Sequence, residues 1–316
     1  MREDAAFVTV LISTHNRAET LRQTVATLFT PLNLSRTDWE LVVVDNGSAD
    51  HTAVVCEELQ AAYPHYFRYV TELRRGRCSG LNAGIAVARG EIIAITDDDV
   101  LIDSEWLPTI RKTLQNGDYI GLGGKIVPKW HCPKPKWLTT RGPYKLLDVT
   151  GEYDLGERQR DISMSTVPFG ANMAFRKTAF ERYGLFRTDL GAGTSITGGD
   201  TEFCRRLLQA GERLVYTPQA VVHHIVEEQQ VEKETFRRRY VGFGRFSMRM
   251  QGAPPGAVRY FGVPRYLVRS LLEDALRWTF AINPQRRVYY GFHVWQDLGE
   301  IQEAREQFRN RVPRQA

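Results

Sequence analysis

The sequence predicts an α/β fold: a Rossmann-like, mainly parallel sheet flanked by helices, with a mostly helical C-terminal extension. Three observations carry this. Short β-branched runs alternate with segments of helical periodicity over the first hundred residues. Each run is apolar without alternation, as a strand buried on both faces must be. Beyond about Thr235 the strand signals stop and helical spacing takes over.

The elements follow in order. Val8 to Ser13 (VTVLIS) reads as a buried strand, and Leu21, Val25 and Leu28 mark a helix face behind it. Glu40 to Asp45 (ELVVVD) is a second strand, stopped by Asn46-Gly47-Ser48. Thr52 to Tyr63 is helical, Phe67 to Thr71 a third strand, Gly80 to Ala88 a short helix, and Glu91 to Thr96 (EIIAIT) a fourth strand that runs into Asp97-Asp98-Asp99. Lys129 to Arg141, rich in Lys, Pro and Trp, reads as a long loop. Asn172 to Arg176 is a short strand, Thr201 to Ala210 a helix stopped by Gly211, and Leu214 to Thr217 a last strand ending before Pro218. The organisation expected is an α/β domain over 1–230 and a basic helical extension over 231–316. Within the extension, Leu267, Val268, Leu271, Leu272, Ala275 and Leu276 recur at helical spacing.

Composition narrows the classes. With 42% hydrophobic and 25% charged residues the chain is an ordinary globular protein, neither disordered nor fibrous. No uncharged apolar run reaches the roughly 18–20 residues that span a bilayer. No apolar leader follows Met1-Arg2-Glu3-Asp4, so a secretory signal is not expected. The four cysteines are scattered and suit reduced thiols. These features predict a cytoplasmic protein, with a peripheral contact on the inner face of the membrane left open. The net charge of +5 is uneven, because residues 231–316 hold 16 basic and 8 acidic side chains. Such a tail suits either a solvated helical face or an anionic partner: a membrane surface, a lipid-linked pyrophosphate or an acidic glycan. No nucleic-acid motif accompanies it.

Open α/β sheets bind ligands beyond the carboxyl ends of their strands, so Ser13–Arg17, Asp45–Ser48 and Asp97–Asp99 are expected to converge. Three adjacent carboxylates repel one another unless a cation sits among them, and hard oxygen donors suit Mg²⁺ or Mn²⁺. Asp45 is either a turn cap or a partner for a base or ribose hydroxyl. Arg75 and Arg77 could face phosphate oxygens. Asn82 is ambiguous by itself. Asp200, in Gly198-Gly199-Asp200-Thr201-Glu202, is either a helix N-cap or a base, and residue types alone do not choose. His223-His224 is either structural or the completion of a metal shell.

Taken together, VLISTHNR (Val10–Arg17), VVVDNGSAD (Val42–Asp50), SGLNAGIAVARGEIIAITDDD (Ser79–Asp99), FGANMAFRK (Phe169–Lys177) and GGDTEFCRRLLQAG (Gly198–Gly211) stand in the order of the family 2 glycosyltransferases, and the chain resembles them from about Phe7 to His224. The resemblance implies a GT-A fold and inverting, metal-dependent transfer of a sugar from a nucleotide-diphosphate-sugar donor to a hydroxyl acceptor, a glycan or lipid-linked saccharide. It implies that Ser13, Thr14 and Asp45 surround the nucleoside and that Asp97 to Asp99 form the DxD-type motif. It further implies Asp99 and His224 as contacts to Mg²⁺ or Mn²⁺, and Asp200 as general base. Two positions depart from the family pattern. Gly199 stands where Glu is common, and Gly80-Leu81 precedes Asn82 where Arg is frequent, so that Arg75 or Arg77 would contact phosphate instead. No QxxRW-type motif is present, which suits a single-addition enzyme. The rival readings are a nucleotidyltransferase, which would want a glycine-rich phosphate loop after the first strand, and an inactive nucleotide-sugar-binding scaffold.

Overall fold

A computed structural model describes residues 6–115, 118–139, 142–146 and 150–311. The described residues fall into two compact units, one within Met1–Lys129, Gly151–Thr194 and Gly199–Ile225, the other within Trp130–Thr150, Ser195–Gly198 and Val226–Ala316. The chain therefore enters the second unit three times, which the boundary expected near residue 230 does not anticipate.

The first unit opens with β1 (Val8–Thr14), α1 (Ala18–Leu28), α2 (Pro31–Leu34), β2 (Trp39–Asp45), α3 (Thr52–Ala62), β3 (Phe67–Thr71), α4 (Arg77–Val87) and β4 (Ile92–Thr96). It continues with β5 (Val100–Ile102), α5 (Trp106–Gln115), β6 (Gly121–Trp130), β7 (Arg160–Asp161), β8 (Asn172–Arg176), α6 (Lys177–Tyr183), α7 (Gly199–Gln209) and β9 (Leu214–Val226). The strands form one sheet in the order β3-β2-β1-β4-β8-β6-β9-β5, with β7 beside β9.

The half of the sheet built from alternating strands and helices is parallel: β3 on β2, β2 on β1, β1 on β4. Every residue of β2 is buried, as its unbroken apolar run requires. At roughly 1.5–3 kcal/mol for each fully buried Val or Leu, Leu41 to Val44 anchor the parallel half of the sheet. From β8 onward the pairings turn antiparallel, β4 with β8, β8 with β6, and β9 with both β5 and β7. This half of the sheet is why the architecture is mixed where the sequence pattern suggests mainly parallel strands.

Register positions the site. Thr14 lies opposite Asp45, and Ile12 opposite Thr96, so the residues that follow β1, β2 and β4 leave the sheet at one level.

Pro218 does not end the last strand. β9 runs on to Val226 because Pro218 falls between Val215–Tyr216, which pair with β7, and Val222–His224, which pair with β5. A proline between two ladders forfeits no hydrogen bond to either. The loop expected over 129–141 begins two residues later, since Lys129 and Trp130 close β6, and residues 131–139 carry neither helix nor strand. Thr140, Arg141 and Met1 to Asp4 lie outside the described residues.

In the second unit, α8 (Lys233–Gln251), the short pair β10 (Arg259–Tyr260) and β11 (Val263–Pro264), α9 (Arg265–Thr279) and α10 (Pro284–Arg311) confirm the helical reading of the C-terminal region. Phe236 and Tyr240 of α8 stack on Phe292 of α10, with ring centroids 5.4 and 5.0 Å apart. Met248, Val263, Leu267, Ile301 and Ala304 form a second small core. Among the described residues, no helix is long and apolar enough to cross a membrane.

Candidate active site

The three adjacent carboxylates after β4 divide between two arginines, Asp98 and Asp99 sharing Arg17 and Asp97 turning to Arg77. Asp98 is buried; its Oδ2 accepts the Thr14 hydroxyl at 2.6 Å and its Oδ1 accepts Arg17 Nη1 at 3.1 Å. Burial pushes the Asp98 carboxyl up to about 6, against the pull of Arg17 and with a further push from Asp99. Asp99 also accepts from Arg17 Nη1, through Oδ2, while its Oδ1 lies 3.6 Å from His224 Nε2. Asp97 turns the other way, to Arg77, whose Nε and Nη2 donate to Asp97 Oδ1 at 3.0 and 2.6 Å.

Arg17 thus supplies the cation that repulsion among these acids demands. Burial alone would lower its pKa, but Asp99 and Asp98 hold it above its ordinary value. Its place just before α1 is visible in the sequence, but its two partners lie 81 and 82 residues further on.

Arg77 is the first residue of α4, which starts three residues earlier than the periodicity from Gly80 suggests. Burial disfavours its charge, and the carboxylates of Asp97 and Asp200 more than offset that. Asp200 lies inside the first turn of α7, not at its N-cap. Its Oδ2 accepts the Gly170 N–H, and its Oδ1 accepts the Thr201 N–H at 2.9 Å. The α-carbon of Gly170 lies against the guanidinium of Arg77, so close that a β-carbon there would fall 2.4 Å from Nη2. Asp97, Arg77, Gly170 and Asp200 are therefore one contiguous constellation. Gly170 is followed by Ala171 at φ 134°, a strained value for a residue with a side chain, whose carbonyl accepts the Thr96 hydroxyl at 2.6 Å. Glu202, two residues beyond Asp200, is engaged by Arg206 at 2.8 Å.

The remaining candidates occupy more local roles. Asp45 is buried and accepts the Ser48 N–H at 2.8 Å and the Tyr69 hydroxyl at 3.1 Å, a turn-closing pattern. Ser13 faces α4, where a β-carbon on Gly80 would come within 2.2 Å of Ser13 Oγ. Asn82 bonds the Phe186 backbone in both directions, donating to its O at 2.8 Å and accepting from its N at 3.1 Å. Arg75 is exposed. Asn46, which the residue pattern marked only as a turn, organises the loop that carries Arg75. Its amide donates to the carbonyls of Glu72 and Arg74, and its Oδ1 accepts the Gly76 N–H at 2.8 Å.

Among the described residues, no three His, Cys, Asp or Glu side chains gather into a ready-made metal cluster. The donor set nevertheless fits a hard divalent ion completed by substrate oxygens, since Mg²⁺ and Mn²⁺ are commonly held by one or two protein ligands plus phosphate. Asp99 Oδ1 and His224 Nε2 face each other beyond hydrogen-bond length. His224 Nδ1 is buried with no hydrogen-bond partner, so this imidazole is not spoken for on its other side.

A sheet whose parallel half delivers acidic and basic side chains to one end, beside an antiparallel half that brings in a further acid, is the plan of a GT-A glycosyltransferase. A solved structure shares it: a mannosyltransferase, PcManGT from Pyrobaculum calidifontis in complex with GDP-Man and Mn²⁺, matches at a TM-score of 0.62 and 20% identity over 95% of this chain and 88% of that one. The profile of the family described as Glycosyl transferase family 2 matches residues 9–184, and the chain belongs to that family. Relatives include a glucosyl-dolichyl phosphate glucuronosyltransferase of Haloferax volcanii, 25% identical over 72% of this chain and 71% of its own length. Glycosyltransferase AglE of the same organism is 25% identical over 71% of this chain and 68% of its own.

Proposed function

We propose that this glycosyltransferase moves a sugar from a nucleotide-diphosphate-sugar donor to a hydroxyl of a glycan or lipid-linked acceptor, in a single displacement that inverts the anomeric configuration. The observation that carries the reading is the linked set Asp97–Arg77–Asp200, which joins the acidic end of β4 to a carboxylate fixed by two backbone N–H groups. The donor class is supported by the GDP-Man complex of the mannosyltransferase of like fold, and a lipid-linked acceptor by the Haloferax relative, a glucosyl-dolichyl phosphate glucuronosyltransferase.

In this reading Asp200 takes the proton of the acceptor hydroxyl as its oxygen attacks the anomeric carbon. The bond from that carbon to the donor's diphosphate oxygen breaks on the opposite face, and the nucleoside diphosphate leaves with the electron pair. No covalent intermediate on the protein is needed. The N–H groups of Gly170 and Thr201 orient the base, and Arg77 holds the Asp97 side of the site in register with it. Thr14, Asp45 and Ser13 border the nucleoside, and Arg75 and Arg17 offer charge to phosphate. Asn82 serves the site indirectly, by tying α4 to Phe186. Asp99 and His224 would hold Mg²⁺ or Mn²⁺, which when bound would neutralise charge on the departing diphosphate.

Asp200→Asn tests this. A base role predicts turnover lower by ~10²–10⁴-fold with donor affinity nearly unchanged. Thermal unfolding of the same variant reads out any loss of the Gly170 and Thr201 bonds separately. Turnover within a few-fold of wild type in a folded variant would remove Asp200 from the mechanism.

A further inference from the structure

The second unit carries a feature outside the residues assigned to sugar transfer. A cavity of about 630 Å³ opens among α8, α9 and α10. Lys233 and Arg237 come from α8, Trp278 from α9, and Arg287 and Trp295 from α10. Glu234 also lines it but is taken up by Arg237, at 3.2 Å. The Arg237 guanidinium lies 4.8 Å over the Trp295 ring. Among the described residues, Lys233 and Arg287 have no carboxylate partner. Two cations without counter-charge, a third braced on an indole, and a second indole in the lining form a recess suited to an anionic group on an apolar stem.

The helix that supplies Trp278 also exposes an apolar stripe. Val268, Leu272 and Leu276 recur every fourth residue on α9, outside the row through Leu267 and Leu271 that packs into the unit's core. The stripe continues into Phe280 and Ile282, the latter 98% exposed, in the turn before α10. A second recess of about 350 Å³, lined by Arg265, Tyr266 and Arg269, the last of these paired with Glu273 at 2.7 Å, lies at the other end of α9. An amphipathic helix with apolar residues on one strip and cationic recesses at both ends is built to lie in a membrane interface.

We propose that the α9 stripe and the Lys233–Arg237–Arg287 cavity seat a membrane lipid whose phosphate headgroup carries a net negative charge. The side chains of Leu272, Leu276, Phe280 and Ile282 enter the acyl boundary, and the cavity holds the phosphate. The 16 basic against 8 acidic residues of 231–316 add attraction to an anionic surface. This inference is independent of the sugar-transfer reading, since it concerns binding alone.

The full chain is sedimented with phosphatidylcholine vesicles with and without phosphatidylglycerol. Binding is expected only to the anionic vesicles. Lys233→Ala and Arg287→Ala should each weaken it about fivefold, the equivalent of about 1 kcal/mol per cation at such a surface. Leu272→Gln with Leu276→Gln should weaken it by about tenfold or more, and far-UV circular dichroism confirms folding of each exposed-site variant. Equal partition onto neutral and anionic vesicles would overturn the proposal. So would saturable binding of inorganic phosphate, lost in Arg287→Ala, in a protein that ignores vesicles, which would make the cavity a site for a soluble phosphate. Self-association in velocity sedimentation that Leu272→Gln with Leu276→Gln abolishes, with no vesicle binding, would assign the stripe to a second copy of the chain.

Discussion

At the scale of single residues, the candidate site depends on an atom that is missing. Gly170 has no β-carbon, so its N–H can reach Asp200 while its α-carbon lies on the Arg77 guanidinium. In Gly170→Ala the new methyl would fall 2.4 Å from Arg77 Nη2 and 2.7 Å from Cζ, so either Arg77 or the 170 backbone must move. Both atoms define where Asp200 sits, and a displacement of about 1 Å at a reacting group typically costs ~10²-fold in rate. Turnover of Gly170→Ala should fall by on the order of that factor, with the unfolding midpoint close to wild type. Wild-type turnover would show that Asp200 does not depend on this contact. The same pair marks the limit of reading from residues. Asp97 to Asp99 and Asp200 declare themselves, because carboxylates at strand and helix ends are conspicuous. Their neutralising partners do not. Arg77 is legible only as a phosphate contact and Arg17 only as the end of a converging turn, and neither is matched to its acid until the sheet register sets β1 beside β4 and α4 packs on β1.

Elements show the same division between local and tertiary information. β1, β2 and β4 are legible because strands buried on both faces leave unbroken apolar runs. β5 and β7, of three and two residues, are defined by their pairing with β9 and leave no pattern of their own. α9 and α10 are legible as helices, but the polar contact between them is not. There Ser270 donates to Asp297 Oδ1 at 3.0 Å, while Asp297 Oδ2 is buried without a partner. Burial pushes the Asp297 carboxyl up to about 6, with smaller pushes from Asp274 and Glu300 and an opposing pull from Ser270. A raised acid has a definite sign. Below pH 3.8 both folded and unfolded chains hold the proton; between 3.8 and about 6 the unfolded chain releases it first; above about 6 both are ionised and the cost of the buried charge is complete. Asp297 therefore removes stability as pH rises through this window, by roughly 2–3 kcal/mol at most. Asp297→Asn should flatten that part of the pH dependence, so that its midpoint gains on wild type between pH 4 and 6 and keeps a constant lead above pH 7. Parallel curves for the two proteins would show that this carboxyl is not strained by its burial. Glu300, also raised by burial, keeps a residual slope in the variant.

For the molecule as a whole, the question is whether donor and divalent ion bind as one unit. Arg17 engages both Asp98 and Asp99, so the acidic end of β4 already carries one compensating cation. A diphosphate arriving there adds negative charge beside Asp99, and Arg17 cannot neutralise both. If Asp99 and His224 hold Mg²⁺ or Mn²⁺, nucleoside diphosphate should bind well only with the metal. A ligand that binds only the native state stabilises it by about 2.7 kcal/mol at a hundred times its Kd, or roughly 5–10 °C in midpoint for a unit of this size. Thermal unfolding against a panel of nucleoside diphosphates should therefore show such a shift with Mn²⁺ for the cognate base and lose most of it in EDTA. Asp200→Asn should keep the shift, because the base addresses the acceptor. Asp99→Ala should make the response to nucleotide indifferent to metal, since Arg17, then balanced by Asp98 alone, can meet the phosphates directly. Equal shifts in EDTA and Mn²⁺ for the wild-type protein would mean that Arg17 alone balances the diphosphate, and the metal would leave the mechanism.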